Sequence, residues 1–367
     1  MSRAILILAA ALLLAVPFDT QAQQAPAPAE KPKAYASYDD LFDDFSKRRE
    51  VLLTRHERLR EKERIEPAEL QAIEDELRAL DAEYVTTLRA YIDANPQAKD
   101  LMPARFEVAV TLSRLDDRLA EAVTAADAFL DKHSDSELAA DARFLKAQTL
   151  FRITGRETAC VEALEDFIAR HPDRNEAPAA RMMRVRALLF LNRVDDARRS
   201  LRLILSSKEV QDDKDAKEFL QGQLDSLDWI GRDLPDFSVA LVGGERTSRA
   251  DFIGKPMLLV VYDSTSQACL GELPFIEEAA RRFNGRLNVL GVSVNESKAA
   301  FEQWLDRNKE RIAFKNTWID REAENTLVKK LNVSLIPFNV LVDDTGKVYR
   351  YDVRSDDMLR YAELLAK

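Results

Sequence analysis

A chain of 367 residues is long enough for two domains, and an apolar fraction of 46% can supply packed cores for both. Its 64 acidic residues outnumber 54 basic ones for a formal charge of −10, so the basic excess or stripe of a nucleic-acid binder is missing. Two cysteines, Cys160 and Cys269, are too few for a disulfide scaffold.

Taken in chain order, the first stretch reads as a targeting signal. Arg3 precedes the apolar run Ala4 to Val16, and Pro17 then leads into small and polar residues up to Thr20-Gln-Ala22. A charged start, a short apolar run and a small-residue cleavage site predict a secretory signal over residues 1–22, with an uncleaved anchor as the alternative. The run is short for a bilayer span, so no membrane span is expected after cleavage. Export predicts an envelope compartment, the periplasm, where a disulfide would persist. Residues 23–37 are a Pro/Ala-rich linker with little to bury.

Residues 38–229 contain only Gly155 and Gly222 and no strand pattern. Leu70, Ile73, Leu77, Leu80, Tyr84, Leu88 and Tyr91 alternate steps of three and four, the apolar stripe of a helix, and Pro67 suits its first turn. The segment from Tyr38 to about Arg64 is its expected antiparallel partner. A repeat follows. Tyr91-Ile-Asp-Ala-Asn-Pro96, Phe129-Leu-Asp-Lys-His-Ser134 and Phe167-Ile-Ala-Arg-His-Pro172 recur every 38 residues. Ala104, Ala142 and Ala180, Arg105, Arg143 and Arg181, and Leu112, Leu150 and Leu188 keep the same register. Each unit reads as a helix ending in an aromatic residue, a polar turn, and a second helix opening on small residues, which is the signature of an α-solenoid. The pattern resembles the tetratricopeptide-like (TPR-like) repeats of bacterial envelope proteins, with a period of 38 in place of that family's 34.

His133 and His171 fall in equivalent turns. Near helix C-termini such residues are expected to satisfy carbonyls and suit the helix dipole. His56 has no Cys or His partner at ligand spacing, so no metal is expected. Cys160 reads as a small buried residue in mid-helix.

At Trp229 the grammar changes to glycines, β-branched residues and turn pairs. Strands are predicted at Phe237 to Leu241, Met257 to Tyr262, Leu287 to Val294, Phe314 to Ile319, Phe338 to Asp343 and Val348 to Asp352. Helices are predicted at about 268–284, 297–310, 321–331 and 355–366. This alternation gives residues 230–367 an α/β sheet with helices on both faces. Within it, Leu258-Leu-Val-Val-Tyr262 ends at a polar loop, and Cys269 stands in the first turn of the helix that follows. Phe275, Ala279, Ala280 and Phe283 are the expected apolar side of that helix. Amides at a helix N-terminus stabilise a thiolate, so Cys269 is the chemical focus of the chain.

Several segments together resemble a thioredoxin-like domain of the TlpA/ResA and redoxin (AhpC/TSA) type. They are Leu234-Pro-Asp-Phe237, Phe252-Ile-Gly-Lys-Pro256, Val289-Leu-Gly-Val-Ser-Val294 and Ile336-Pro-Phe-Asn-Val-Leu-Val-Asp343 followed by Gly346-Lys347. The resemblance implies a cis-proline at Pro337 facing the site, with Ile336 and Thr265 beside a substrate groove. It also implies a Cys-x-x-Cys pair, but Ser266-Gln-Ala-Cys269 has serine at the attacking position, and Thr265 replaces the usual aromatic residue. Thiol–disulfide exchange needs an attacking and a resolving thiol, so two-cysteine turnover by this site alone is not expected.

Three readings of Cys269 stay open. It is an inert leftover in a binding or scaffold domain, or a single redox thiol turned over by an outside thiol and hydrogen-bonded by Ser266. The third is a peroxidase thiol, as in the Thr-x-x-Cys of peroxiredoxins. Against the third, Tyr262 and Ile336-Pro337 stand where that family wants a proline and an arginine. Nothing in the sequence brings Cys160 to Cys269. The expected partners are envelope proteins, held by the helical repeats and the thioredoxin groove. No cofactor is called for, since there is no phosphate-cradling glycine loop.

Overall fold

The computed structural model describes residues 34–61, 66–321, 323–324 and 326–367. The signal expected over 1–22, and most of the linker expected over 23–37, lie outside them. Packing divides the chain into two units, Met1–Ser200 and Leu201–Lys367.

The first unit is helical. α1 (Tyr38–Arg60) and α2 (Pro67–Ala94) form the expected hairpin, with Ser37 accepting the Asp40 amide N–H at the first N-cap and Pro67 at the start of the second. Their direction is fixed by an ion ladder in which Arg48 pairs with Glu83, Arg49 with Asp81, Arg55 with Glu76 and His56 with Glu74. As one number rises the other falls, so the helices run antiparallel. An apolar core gathers around Leu41, Phe45, Leu80, Tyr84 and Leu88, and Ile73 is buried nearer the start of α2.

The remaining helices of this unit are α3 (Leu101–Leu112), α4 (Leu119–His133), α5 (Ala139–Arg152), α6 (Glu157–Arg170), α7 (Ala177–Phe190) and the start of α8 (Val194–Leu205). From α1 to α7 each helix packs on the next, and α3, α5 and α7 also touch one another, as in a stack of helical pairs. The register read from the sequence is physically meaningful. Tyr91, Phe129 and Phe167 are buried at the ends of α2, α4 and α6, and Ala104, Ala142 and Ala180 are fully buried where the second helices approach the first. Arg143 and Arg181 donate to the carbonyls of Ser134 and Pro172, nine residues back in each case, which caps the preceding turn identically in two repeats. The histidines depart from expectation. His133 and His171 lie on the rings of Phe129 and Phe167, with centroids 5.1 and 5.6 Å apart, because the buried ring beneath them is a better partner than a carbonyl that an arginine already satisfies.

The second unit opens with the rest of α8, α9 (Lys208–Gln211) and α10 (Lys214–Leu227). The packing boundary precedes the change in sequence grammar at Trp229 because α10 packs against the sheet's last strand. A hairpin follows, β1 (Ser238–Ala240) and β2 (Arg246–Ser248), turning through Gly243 and Gly244, whose φ values of 107° and 93° favour glycine. β2 had no sequence signal, being three polar residues.

The main sheet has five strands: β3 (Met257–Tyr262), β4 (Asn288–Ser293), β5 (Lys315–Trp318), β6 (Phe338–Val342) and β7 (Val348–Tyr351). Their order is β5-β4-β3-β6-β7, parallel on one side of β3 and antiparallel on the other. β3 is buried at all six positions since both faces are covered, which is why it reads as an unbroken apolar run. Met257, Leu259 and Val261 join the core that includes Leu327, Val328 and Leu331, and the other face lies under α11 (Gln267–Arg282), α12 (Lys298–Arg307) and α14 (Ser355–Leu365). The helix expected over 321–331 is only α13 (Leu327–Lys330). Thr326 is extended and caps it through the Lys329 amide, while residues 322 and 325 of the expected helix lie outside the described ones. The chain before β1 straps one sheet edge, with Gly231 and Leu234 amides donating to Val348 and Gly346. The Val242 amide donates to Asn316 at the other edge.

Candidate functional site

β3 ends at Tyr262, the chain turns through Asp263 to Thr265, and α11 begins behind Ser266. Ser266 is the N-cap, extended at φ −81° and ψ 122°, with its hydroxyl accepting the Cys269 amide N–H at 3.5 Å. Cys269 is therefore the third helical residue, in the first turn as expected. Its side chain points inward and is 1% exposed. Sγ accepts the Asp263 amide N–H at 3.5 Å, so the thiol's partner is a backbone amide, while the Ser266 hydroxyl serves the Cys269 backbone. The apolar side of α11 is shifted from the expected one. Cys269, Leu273, Ile276, Ala279 and Phe283 are buried, whereas Phe275 and Ala280 are half-exposed. The cause is Cys269 itself, whose burial sets the phase of the stripe.

The loop before the helix is held by side chains. Asp263 Oδ1 accepts the Thr265 amide and hydroxyl, both at 2.7 Å, and Asn295 Nδ2 at 2.9 Å. Asn295 also accepts the Ser264 amide at 3.1 Å and the Ser293 hydroxyl at 2.8 Å, and its carbonyl accepts Trp318 Nε1 at 2.7 Å. The loop is thus anchored to the ends of β4 and β5. Thr265 stays exposed. Below the loop, Tyr262 donates its hydroxyl to Asn316 Oδ1 at 2.8 Å, and burial, with Cys269 beside it, raises the phenol's pKa.

The Ile336–Pro337 peptide is cis, as the resemblance implied, and Pro337 is buried at the start of β6. Ile336 is half-buried, while Leu335 before it is 71% exposed. The sequence reading missed Glu272 and Asn339, which link the cysteine helix to the proline strand. Glu272 lies three residues after Cys269 in the same buried stripe and is 4% exposed. Its Oε1 accepts Asn339 Nδ2 at 3.0 Å and the Ser355 amide at 2.6 Å, and its Oε2 accepts the Ser355 hydroxyl at 3.0 Å. Burial raises its pKa first, and those hydrogen bonds oppose the shift. One carboxyl therefore ties α11, β6 and the start of α14 together. An acidic residue at i+3 from the cysteine, on a face otherwise apolar, was the available signal.

Cys160 is in the first turn of α6, not mid-helix; it is fully buried and its thiol donates to the Ala147 carbonyl at 3.5 Å. Neither cysteine is in a disulfide. Among the described residues no cluster of three or more His, Cys, Asp or Glu could hold a metal, and no helix is long and apolar enough to cross a membrane.

Residues 230–364 match the AhpC/TSA family. The chain is 26% identical over 125 residues to thioredoxin-like protein YneN of Bacillus subtilis, covering 32% of this chain and 68% of that one. It is 23% identical over 120 residues to the thiol-disulfide oxidoreductase ResA of Bacillus thuringiensis, covering 32% and 66%. Only about two thirds of each relative is thus spanned. Solved structures similar to it include the thioredoxin domain of a Bacteroides vulgatus thiol-disulfide oxidoreductase, at 19% identity and TM-score 0.35 over 38% of this chain and 98% of that one. Another is StoA of Bacillus subtilis, at 17% identity and TM-score 0.31 over 35% and 97%. With the strand order, the cis-proline and the cysteine in the first turn after β3, residues 230–364 form a redoxin-type, thioredoxin-like domain that matches the AhpC/TSA family, preceded by stacked helical repeats.

Proposed function

We propose that the chain is an exported binding protein of the cell envelope, a scaffold whose thioredoxin-fold groove holds polypeptide beside Pro337 without covalent capture. The burial of Cys269 behind Ser266 carries this reading. An attacking thiol must be reached by a substrate disulfide, and here the attacking position, half-buried Ser266, has a hydroxyl that neither ionises at neutral pH nor forms a disulfide. Leu335, two residues before the cis-proline, is exposed and would offer an apolar contact to an extended chain, and exposed Thr265, which the resemblance assigns to the same groove, would offer a polar one. The helical repeats supply a second surface for envelope proteins.

The test is alkylation of Cys269 against pH, with Cys160 changed to serine. The binding reading expects labelling only on unfolding. It also expects retention of a reduced, carboxymethylated polypeptide that Leu335→Glu weakens. Fast labelling of the folded protein with a midpoint well below about 8.5 overturns it.

That outcome would favour a second reading, a single redox thiol exchanging with an outside thiol. The observation behind it is the position of Cys269 in the first turn of α11 with an amide N–H on its sulfur, the setting that stabilises a thiolate.

A further inference from the structure

Two successive repeats of the helical unit place a phenylalanine, a histidine and an arginine at equivalent positions. Phe129 and Phe167 lie near the ends of α4 and α6, His133 and His171 follow four residues later and pack on them, and Arg105 and Arg143 stand in the second helix of the preceding pair. All three positions obey the 38-residue period. In the first turn Nε2 of His133 lies 3.3 Å from Nη1 of Arg105. In the second, Nε2 of His171 is shielded from solvent and has no hydrogen-bond partner.

A guanidinium only donates, so Nε2 of His133 accepts and its proton belongs on Nδ1; this ring is neutral. Protonation would set an N–H⁺ against a fixed cation. At His171 it would place an N–H⁺ where no acceptor is provided, and an unsatisfied buried donor is costly. The surrounding charges offer no relief. His133 faces Arg105 from α3 and Lys132 from its own helix. His171 faces Arg143 from α5 and Arg174 and Arg170 from its own turn and helix, against the single carboxylate of Asp166. That carboxylate is already bonded by Arg143 and Arg170. Burial first, and these cations second, hold both imidazoles below the ordinary value of 6.5.

We propose that the two histidine turns form an acid-sensitive element of the helical unit: neutral, both rings pack on their phenylalanines and His133 also bonds Arg105 of the preceding pair; protonated, His133 is set against that arginine and His171 holds an unpaired shielded N–H⁺, and the packing of the turns loosens. The sign follows from linkage. A base whose folded pKa is depressed contributes its full stability above the unfolded value of 6.5 and loses it as pH falls through that value toward the lowered one.

The chain has only three histidines, so their ring resonances can be followed by NMR in the full protein and assigned with His133→Gln and His171→Gln. The expected result is that both titrate below 6.5. Between pH 7.5 and 5.5 the wild-type thermal midpoint, read by helical circular dichroism, should fall by at least about 2–4 °C more than that of the double variant. Comparison with the variant cancels the buried carboxyls Asp81 and Glu107, whose raised pKa values act in the opposite direction. Titration of either ring at or above 6.5 overturns the proposal, and so does an equal pH dependence of the two midpoints. If the double variant does not fold, each single variant is compared in the same way, with the same outcomes deciding.

Discussion

Gly291 in β4 sits opposite Asn316 of β5 and leaves room for that side chain to reach Tyr262. A methyl group at this position would lie 2.2 Å from Asn316 Oδ1 and 3.0 Å from both a Phe314 ring carbon and a Tyr262 ring carbon. Asn316 cannot yield freely, because Oδ1 accepts the Tyr262 hydroxyl and Nδ2 donates to the Phe314 carbonyl, each at 2.8 Å. Gly291→Ala therefore either compresses the sheet, at about 1–3 kcal/mol for overpacking, or expels Asn316. Expulsion strands the buried Tyr262 hydroxyl at about 1–3 kcal/mol. Either route gives a loss of about 1–3 kcal/mol, or roughly 2–12 °C in the midpoint of this unit at about 2–4 °C per kcal/mol. Urea unfolding followed by tryptophan fluorescence measures it. A double-mutant cycle with Asn316→Ala identifies the cause, since Gly291→Ala should cost at least about 1 kcal/mol less once the clashing side chain is gone. A single variant within about 0.5 kcal/mol of wild type, or strictly additive effects, would refute the argument.

Ser266→Cys places a second cysteine at the N-cap of α11, three residues before Cys269. It should form a disulfide with Cys269 and confer turnover of a disulfide substrate by an added thiol, at a cost of about 0.5–2 kcal/mol for the lost cap; absence of the disulfide in a thiol count would show that more than the attacking residue is lost. For Glu272→Gln, the raised folded pKa means that the ionised carboxyl weakens the native state at neutral pH and that this is relieved as pH falls toward 4.5. Wild-type stability should thus gain on the variant between pH 7 and 4.5, and parallel urea midpoints across that range would contradict it. Phe167→Ala empties a fully buried site between Phe144 and His171 and should destabilise the helical unit by about 3–5 kcal/mol, read by circular dichroism. Asp81→Ala removes a buried carboxylate shared by Arg49 and Arg114, which stay about a third exposed while Arg114 keeps Glu107, and should cost about 1–3 kcal/mol, part of it recovered when Arg49 is replaced as well.

Periodicity alone determined much of this protein. A period of 38 placed the buried aromatics, alanines and leucines of the helical repeats, because positions one repeat apart meet the same neighbours and their side chains need no tertiary information to be recognised. The run Met257 to Tyr262 and the cysteine after it located the candidate site, because a strand covered on both faces shows as uninterrupted apolar sequence. Tertiary structure decided what lies between elements. The phase of the α11 stripe turned on the burial of Cys269, and β2 exists only through its pairing with β1. Glu272 became visible as a clamp once Asn339 and Ser355, distant in sequence, were brought to it. The turn histidines were read as ordinary caps because the arginine that bonds His133 lies 28 residues earlier, beyond the reach of any local pattern. Local propensity follows from neighbours along the chain, whereas a buried polar group is defined by partners that only folding supplies.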